Sequence, residues 1–308
     1  MKKLPNIIRS QQFSRDSLEE LFNLTDSIRE FPYKYSDSLK GKILTTLFYE
    51  PSTRTRMSFE SAIIRLGGQV IGTENAGEFS SAVKGESLED TVRIVSSYCD
   101  VIVLRHKAEK SSEKVANLIS IPLINAGDGS GQHPTQALLD MYTIWKEFGR
   151  ADGLRIALVG DLKHGRTVRS LAYLCTKFEG IDLTFVSPEH LRIEDDIKQH
   201  LEENELKYKE ESDLLKVLPV SDVIYMTRIQ KERMENHHYE LAKGKYVLND
   251  ANLNYIKENS RIMHPLPHVE ELNFSLETEK NDKRIAYFRQ AENGLYVRMA
   301  LLHHLLSE

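Results

Sequence analysis

Apolar positions along this chain recur in two periods that take turns. Residues 14–31 place Leu18, Leu21, Phe22, Leu24 and Ile28 at helical spacing, with acids near the start, which predicts an amphipathic helix. After Gly41 short apolar runs alternate with helical stretches. Runs at 43–49, 69–72, 101–105 and 122–125 read as strands, and 53–66, 88–98, 112–118 and 133–148 as helices. Ser87 followed by Asp90 is a helix-start signal, and Gly67 and Gly149 stand where helices would be capped. A second series begins at Leu154, with strands predicted at 155–160, 182–186, 222–227, 245–248 and 261–263. Its helices are predicted at 167–178, 195–203 and 252–257, and a last helix at 286–306 carries Tyr287, Leu295, Val297, Ala300, Leu301 and Leu305.

Strands alternating with helices imply an α/β protein in which each domain is a parallel sheet flanked by helices. The length of 308 residues suits two domains. The expected division is 1–132 plus 286–308 as one domain and 150–285 as the other. The helix at 133–149 links them, and the last helix crosses back to the first domain.

Composition narrows the function classes. Hydrophobic residues make up 40% and charged residues 28%, as in a soluble globular protein. The net charge of −5 gives no broad basic surface for nucleic acid, so an anionic substrate must be caught by local arginines. Cys99 and Cys175 fall in apolar-patterned segments, which predicts two buried thiols in a reducing cytoplasm. The N-terminal stretch is broken by Pro5, Asn6 and Arg9 and is not a signal peptide, and no apolar run approaches the ~20 residues of a membrane span. Metal-ligand spacing, a Walker A loop and a nucleophile elbow are absent from the sequence, so no metal is expected. The adjacent pairs His237–His238 and His303–His304 read as surface histidines, because neighbouring side chains on a helix diverge.

Five polar islands interrupt the pattern at predicted strand ends, where open α/β sheets bind ligands. The first runs Ser52, Thr53, Arg54, Thr55, Arg56, between an apolar strand and a helix start. Backbone N–H groups at a helix N-terminus favour an anion, and the hydroxyls and guanidinium add charge-assisted donors. The second, 80–86, is a small-residue loop with Lys84; alone, that lysine reads as solvated. The third is Arg105–His106, where a ligand-facing cation and an ordinary strand terminus are equally good readings. The fourth is a glycine-rich loop running into His133, Pro134, Thr135 and Gln136; His133 and Gln136 share a helix face that suits a carbonyl and an amide. The fifth gathers Gly160–Thr167, Thr227–Gln230 and His264–Pro267, whose arginines and glutamine could grip a dicarboxylate.

Taken in order, STRTR (52–56), HPTQ (133–136), GDLKHGRTV (160–168), TRIQKER (227–233) and HPLP (264–267) resemble the catalytic chains of the aspartate/ornithine carbamoyltransferase family. The likeness spans essentially the whole chain, and HPLP with TRIQKER points to its aspartate branch. Ornithine enzymes typically carry a cysteine in the fifth motif, HCLP in place of HPLP.

The resemblance implies transfer of the carbamoyl group of carbamoyl phosphate to L-aspartate, in pyrimidine synthesis, without an organic cofactor. It implies that Ser52, Thr53, Arg54 and Thr55 hold the phosphate, and that Arg105 bridges phosphate and carbonyl oxygen. His133 with Thr55 would polarise that carbonyl, while Gln136 and the main-chain carbonyls of Leu266 and Pro267 receive the amide. Arg166, Arg228 and Gln230 would bind the aspartate carboxylates. Ser80 and Lys84 would reach in from a neighbouring subunit of a homotrimer, and regulatory chains are possible partners. Three positions depart from the family pattern: His268 stands where arginine is usual, His164 where tyrosine is common, and His238 where some regulated members carry an acid. Transfer to another amine such as ornithine, or a non-catalytic homologue, are the alternative readings.

Overall fold

The computed structural model describes residues 4–307 other than 80, 232 and 233. The chain divides into two units, 1–139 with 292–308 and 140–291.

In the first unit, α1 (Arg15–Glu30) buries Leu18, Leu21, Phe22 and Ile28 and is capped by Ser14, whose side chain accepts from the Ser17 N–H. There follow β1 (Ile43–Phe48), α2 (Thr53–Arg65), β2 (Gln69–Thr73), the single turn α3 (Ala76–Phe79), α4 (Leu88–Val95), β3 (Val101–His106), α5 (Ser111–Ala116) and β4 (Leu123–Asp128). The strands form a parallel sheet in the order β2-β1-β3-β4. Its central strands are buried along most of their length, β3 through the apolar run 101–104 and β1 with Thr45 and Thr46 among its apolar residues, and Leu47, Ile102, Leu104 and Leu123 pack with Val92 of α4 and Val115 of α5. The chain leaves β1 towards β2 on one side, then returns to lay β3 on the other. The carboxyl ends of β1 and β3 therefore flank a topological switch point, and Phe48 pairs with Arg105 there.

The helix α6 (Pro134–Phe148) carries the chain into the second unit. Here β5 (Arg155–Val159), α7 (Arg166–Cys175), β6 (Asp182–Val186), α8 (Asp195–Glu203), β7 (Lys207–Glu211), α9 (Leu214–Val217), β8 (Val223–Met226), α10 (Asn236–Ala242), β9 (Leu248–Asn249), β10 (Arg261–Met263), β11 (Leu272–Asn273) and α11 (Leu276–Asn281) follow in turn. Five strands make a parallel sheet ordered β10-β8-β5-β6-β7, with a second switch point between β5 and β8. A core of Val159, Ile224, Met226, Tyr246, Leu248, Ile262 and Tyr287 lies against it. The last helix, α12 (Tyr287–Leu306), begins in this unit and ends in the first.

Several expectations need correction. The strand at 245–248 is a two-residue strand, β9, paired with β11 in a separate small sheet. The helix at 252–257 is a 3-10 turn, Asp250–Tyr255, capped by Asn249. The edge strand β7 has no counterpart in the sequence reading: its residues Lys207, Tyr208, Lys209, Glu210 and Glu211 are polar, because only one neighbour covers them. Cys99 is half-buried rather than buried, while Cys175 is fully enclosed and burial pushes its thiol pKa up. His303 is partly covered, its ring edge-on to Tyr35, and His304 accepts a hydrogen bond from the Leu4 N–H, so this pair is structural and not plain surface.

Candidate active site

In the first unit, one group of candidate residues stands at the β1/β3 switch point. Ser52 occupies the N-cap of α2, yet its side chain caps no N–H of its own helix. Thr53 and Arg54 are exposed and Thr55 is buried. Arg54 makes no ion pair or hydrogen bond among the described residues. Arg56 differs: its guanidinium meets Glu60 at 3.2 Å and Glu74 at 3.1 Å. The sequence reading left these two arginines together, and the structure separates them. A cation at the positive end of a helix is disfavoured by the dipole, so Arg54 needs a negative partner that the chain's own helix does not provide.

Arg105 ends β3 next to this turn. Its Nη1 donates to the Ala126 carbonyl at 3.0 Å, and Glu50 Oε2 lies 3.6 Å from its Nε. These contacts hold the guanidinium at the strand end, mostly shielded from water. Glu50 gave no sequence signal beyond being an acid in a loop. His106 beside it has its pKa lowered, chiefly by burial, and its Nδ1 accepts the Ala108 N–H at 3.0 Å, so it is a neutral ring at physiological pH.

The loop after β4 delivers His133 and Gln136, which are 4% and 8% exposed. Its other polar residues are scaffolding. Asp128 accepts the N–H groups of Gln132 at 2.7 Å and Lys110 at 2.8 Å. Gln132 accepts the Ser10 N–H at 2.8 Å, tying the loop to the N-terminal segment. The carbonyl of His133 accepts the N–H groups of Gln136 and Ala137, closing the first turn of α6. Thr135 Oγ1 lies 3.4 Å from His133 Nδ1. Lys84 sits apart from these residues, itself exposed at the end of a 3-10 turn, with no bond among the described residues. Ser80 lies outside the described residues.

In the second unit, another group of candidate residues stands at adjacent strand ends. Gly160 closes β5 with φ +121°, and a Cβ there would lie 2.3 Å from the Thr227 carbonyl oxygen. Only glycine permits that approach. Thr227 Oγ1 then donates to the Val159 carbonyl at 2.9 Å, stitching the ends of β5 and β8. Buried Asp161 accepts the His164 N–H at 3.0 Å and faces its ring at 3.1 Å, shaping the turn into α7. Arg166 opens α7, another cation at a helix N-terminus. Arg228 and Gln230 follow β8, both partly exposed. Glu232 and Arg233 of the same motif, and the His238 side chain, lie outside the described residues.

After β10, His264 is buried, and its Nδ1 accepts the Leu266 N–H at 2.8 Å. The ring proton is therefore on Nε2, which faces Glu271 Oε1 at 2.8 Å. Burial, the largest influence, pushes the Glu271 carboxyl up, but the hydrogen bond and charge of His264 together with backbone N–H groups outweigh it and leave the pKa below its ordinary value. This buried pair holds the segment in which Leu266 has φ +57° and the Leu266–Pro267 peptide is cis. His268 packs edge-on to the rings of His264 and Tyr287, with Glu279 3.8 Å from its Nε2. Glu271 is a supporting residue that carried no motif in the sequence.

Residues 5–146 match the family model described as aspartate/ornithine carbamoyltransferase, carbamoyl-P binding domain, and residues 152–305 match its Asp/Orn binding domain. The chain is 52% identical over 308 residues to aspartate carbamoyltransferase 1, chloroplastic, of Pisum sativum, covering 99% of this chain and 79% of that one. It is 47% identical over 303 residues to the aspartate carbamoyltransferase catalytic subunit of Clostridium novyi (strain NT), covering 98% of each. The structure of aspartate transcarbamoylase from Trypanosoma cruzi with carbamoyl phosphate and aspartate aligns at a TM-score of 0.90 and 38% identity, over 98% of this chain and 95% of that one. Both matched domains, and relatives similar along nearly its entire length, put this chain in the aspartate/ornithine carbamoyltransferase family.

Proposed function

We propose that this chain transfers the carbamoyl group of carbamoyl phosphate to the amino group of L-aspartate, giving N-carbamoyl-L-aspartate and phosphate, a step of de novo pyrimidine synthesis. The observation that carries the reading is Arg54, a cation at the N-terminus of α2 with no partner among the described residues, next to a Ser52 hydroxyl that caps nothing. That arrangement suits a phosphate. The T. cruzi relative, at 38% identity, is named for its complex with carbamoyl phosphate and aspartate.

Ser52, Thr53, Arg54 and Thr55 bind the phosphate, and Arg105 spans phosphate and carbonyl oxygen. Thr55, Arg105 and His133 donate to that oxygen as negative charge builds on it. Gln136 and the carbonyls of Leu266 and Pro267 hold the amide, while Arg166, Arg228 and Gln230 grip the two carboxylates of aspartate. The neutral amine attacks the carbonyl carbon, the C–O bond to phosphate breaks, and the departing phosphate takes the amine proton. No protein base is required, so the chain's contribution is positioning and charge stabilisation.

Lys84 and Ser80 act in a neighbouring subunit's site, within a homotrimer. Lys84 faces solvent in its own chain. Met57 and Ile64 of α2, Ile71 of β2, Ile94 of α4 and Tyr98 are all large, apolar and exposed on the first unit. A subunit interface of the first unit would cover side chains of this kind. The C. novyi relative is named a catalytic subunit, which supports regulatory chains as further partners. A cytoplasmic location completes the proposal. Among the described residues no helix is long and apolar enough to cross a membrane, and plant relatives are named chloroplastic, so cell fractionation is the test.

Radiolabelled carbamoyl phosphate offered with aspartate or ornithine tests the reaction. Label in carbamoyl-aspartate alone is expected; label only in the ornithine product overturns the aspartate reading, and label in neither overturns catalysis.

A further inference from the structure

Asp140 of α6, Tyr225 of β8 and Gln290 of α12 form a buried chain that the mechanism above does not use, each at most 1% exposed. Tyr225 Oη donates to Asp140 Oδ2 at 2.7 Å, and Gln290 Nε2 donates to Asp140 Oδ1 at 2.6 Å. Gln290 Oε1 in turn accepts the His264 N–H at 2.8 Å. The Thr167 side chain also hydrogen-bonds the Tyr225 hydroxyl. Burial first, then the charge of Asp140, pushes the Tyr225 pKa well above its ordinary value, so this hydroxyl remains a donor.

The ends of the chain are what give it meaning. Thr167 is the residue after Arg166, Tyr225 stands three before Arg228, and His264 two before Leu266. One carboxylate thus connects the start of α7 and the ends of β8 and β10. Apolar side chains of similar shape would fill the same space without the desolvation cost of an acid. What they could not do is fix direction, since only a matched set of donors and acceptors selects one register for three separate segments.

We propose that Asp140 is a positioning residue for the aspartate half of the site, acting through Tyr225 and Gln290 to align Arg166, Arg228 and the Leu266–Pro267 carbonyls; this rests on the function proposed above. Asp140→Asn puts an amide N–H against a donor and breaks one arm. Tyr225→Phe and Gln290→Leu each remove an arm without adding a clash of donors.

Steady-state kinetics and carbamoyl phosphate binding, run beside the unaltered protein, test it. The expected result for Asp140→Asn is a KM for aspartate raised at least about tenfold with a lower kcat. The Kd for carbamoyl phosphate should rise by much less than the aspartate KM, because its phosphate ligands Ser52, Thr53, Arg54, Thr55 and Arg105 belong to the other unit and only its amide contacts, the Leu266–Pro267 carbonyls, lie at the end of this chain. Tyr225→Phe and Gln290→Leu should shift the aspartate KM in the same sense by less. A lowered Tm with the aspartate KM unchanged in all three variants overturns the proposal. If Asp140→Asn does not fold, the other two decide: a raised aspartate KM in either supports it, and none in both overturns it. Failure of the unaltered protein to carbamoylate aspartate overturns the functional reading, and this inference with it.

Discussion

Arg56 Nη2 lies 3.1 Å from Glu74 Oε2, fastening α2 to the turn after β2. With Glu60 on its other side, this guanidinium is spoken for within its own unit, unlike Arg54 two residues earlier. The two arginines should therefore fail differently. Arg54→Ala is expected to cut kcat by at least about 10³-fold at unchanged Tm, as for loss of a charge-stabilising group. Arg56→Ala is expected to lower stability by about 1 kcal/mol with kcat within a few-fold, since the pair is partly exposed. Paired kinetics and urea unfolding decide; a near-normal kcat in Arg54→Ala removes the phosphate site.

The exposed Lys84 leads to a mixing experiment. Arg54→Ala and Lys84→Ala chains should each be inactive alone. Dissociated and reassembled together, they should regain part of the activity, because a mixed trimer contains sites built from two intact halves. Verified mixed trimers without activity would count against a site shared between subunits.

Glu147 of α6 binds Arg261 of β10 at 2.6 Å and Arg289 of α12 at 2.7 Å. Burial, the largest influence, pushes its carboxyl up, but the hydrogen bonds and charges of Arg289 and Arg261 together outweigh that, and the pKa lies below the ordinary 4.5. A carboxyl lowered by folding stabilises above its unfolded pKa, and that stability is lost as pH falls from about 4.5 through the lower folded value. Glu147→Gln should cost about 2 kcal/mol at neutral pH and flatten this acid limb. Denaturation midpoints between pH 3 and 7 are the measurement, and an unchanged acid limb speaks against the assignment.

Gly160→Ala should cost about 2–4 kcal/mol, from a disfavoured φ and a Cβ pressed on the Thr227 carbonyl. Any protein that folds should bind aspartate more weakly, because Thr227 precedes Arg228. Urea unfolding and the aspartate KM together check this. Unchanged values for both would mean that the β5 and β8 ends relax without consequence.

Much of the candidate site was legible as a proposal because hydroxyls, arginines and glycines interrupt apolar strands at their ends, as at 52–56 and 160–167. The supporting cast was not. Asp140, Gln290 and Glu271 occupy ordinary polar positions in sequence and acquire meaning only through partners far along the chain. The same holds for Arg56, whose role depends on Glu74 beyond the next strand. Among the elements, β7 escaped because an edge strand covered on one side can be nearly all charged, and 252–257 read as a full helix because the 3-10 turn found there, Asp250–Tyr255, shares its start signals.

The helix α12 has a consequence for the order in which the protein can be made. Its first residues complete the second unit, but Val297, Met299, Ala300, Leu301, Leu302 and Leu305 are buried, and the first unit comprises 292–308 as well as 1–139. Arg298 lies over the Phe59 ring, and Arg29 pairs with Glu292. On a ribosome the N-terminal portion emerges first but lacks these side chains until the end of α12 is free of the tunnel. The unit whose sequence is translated first is thus the last to be finished, and it must wait with part of its core uncovered while residues 140–291 are added.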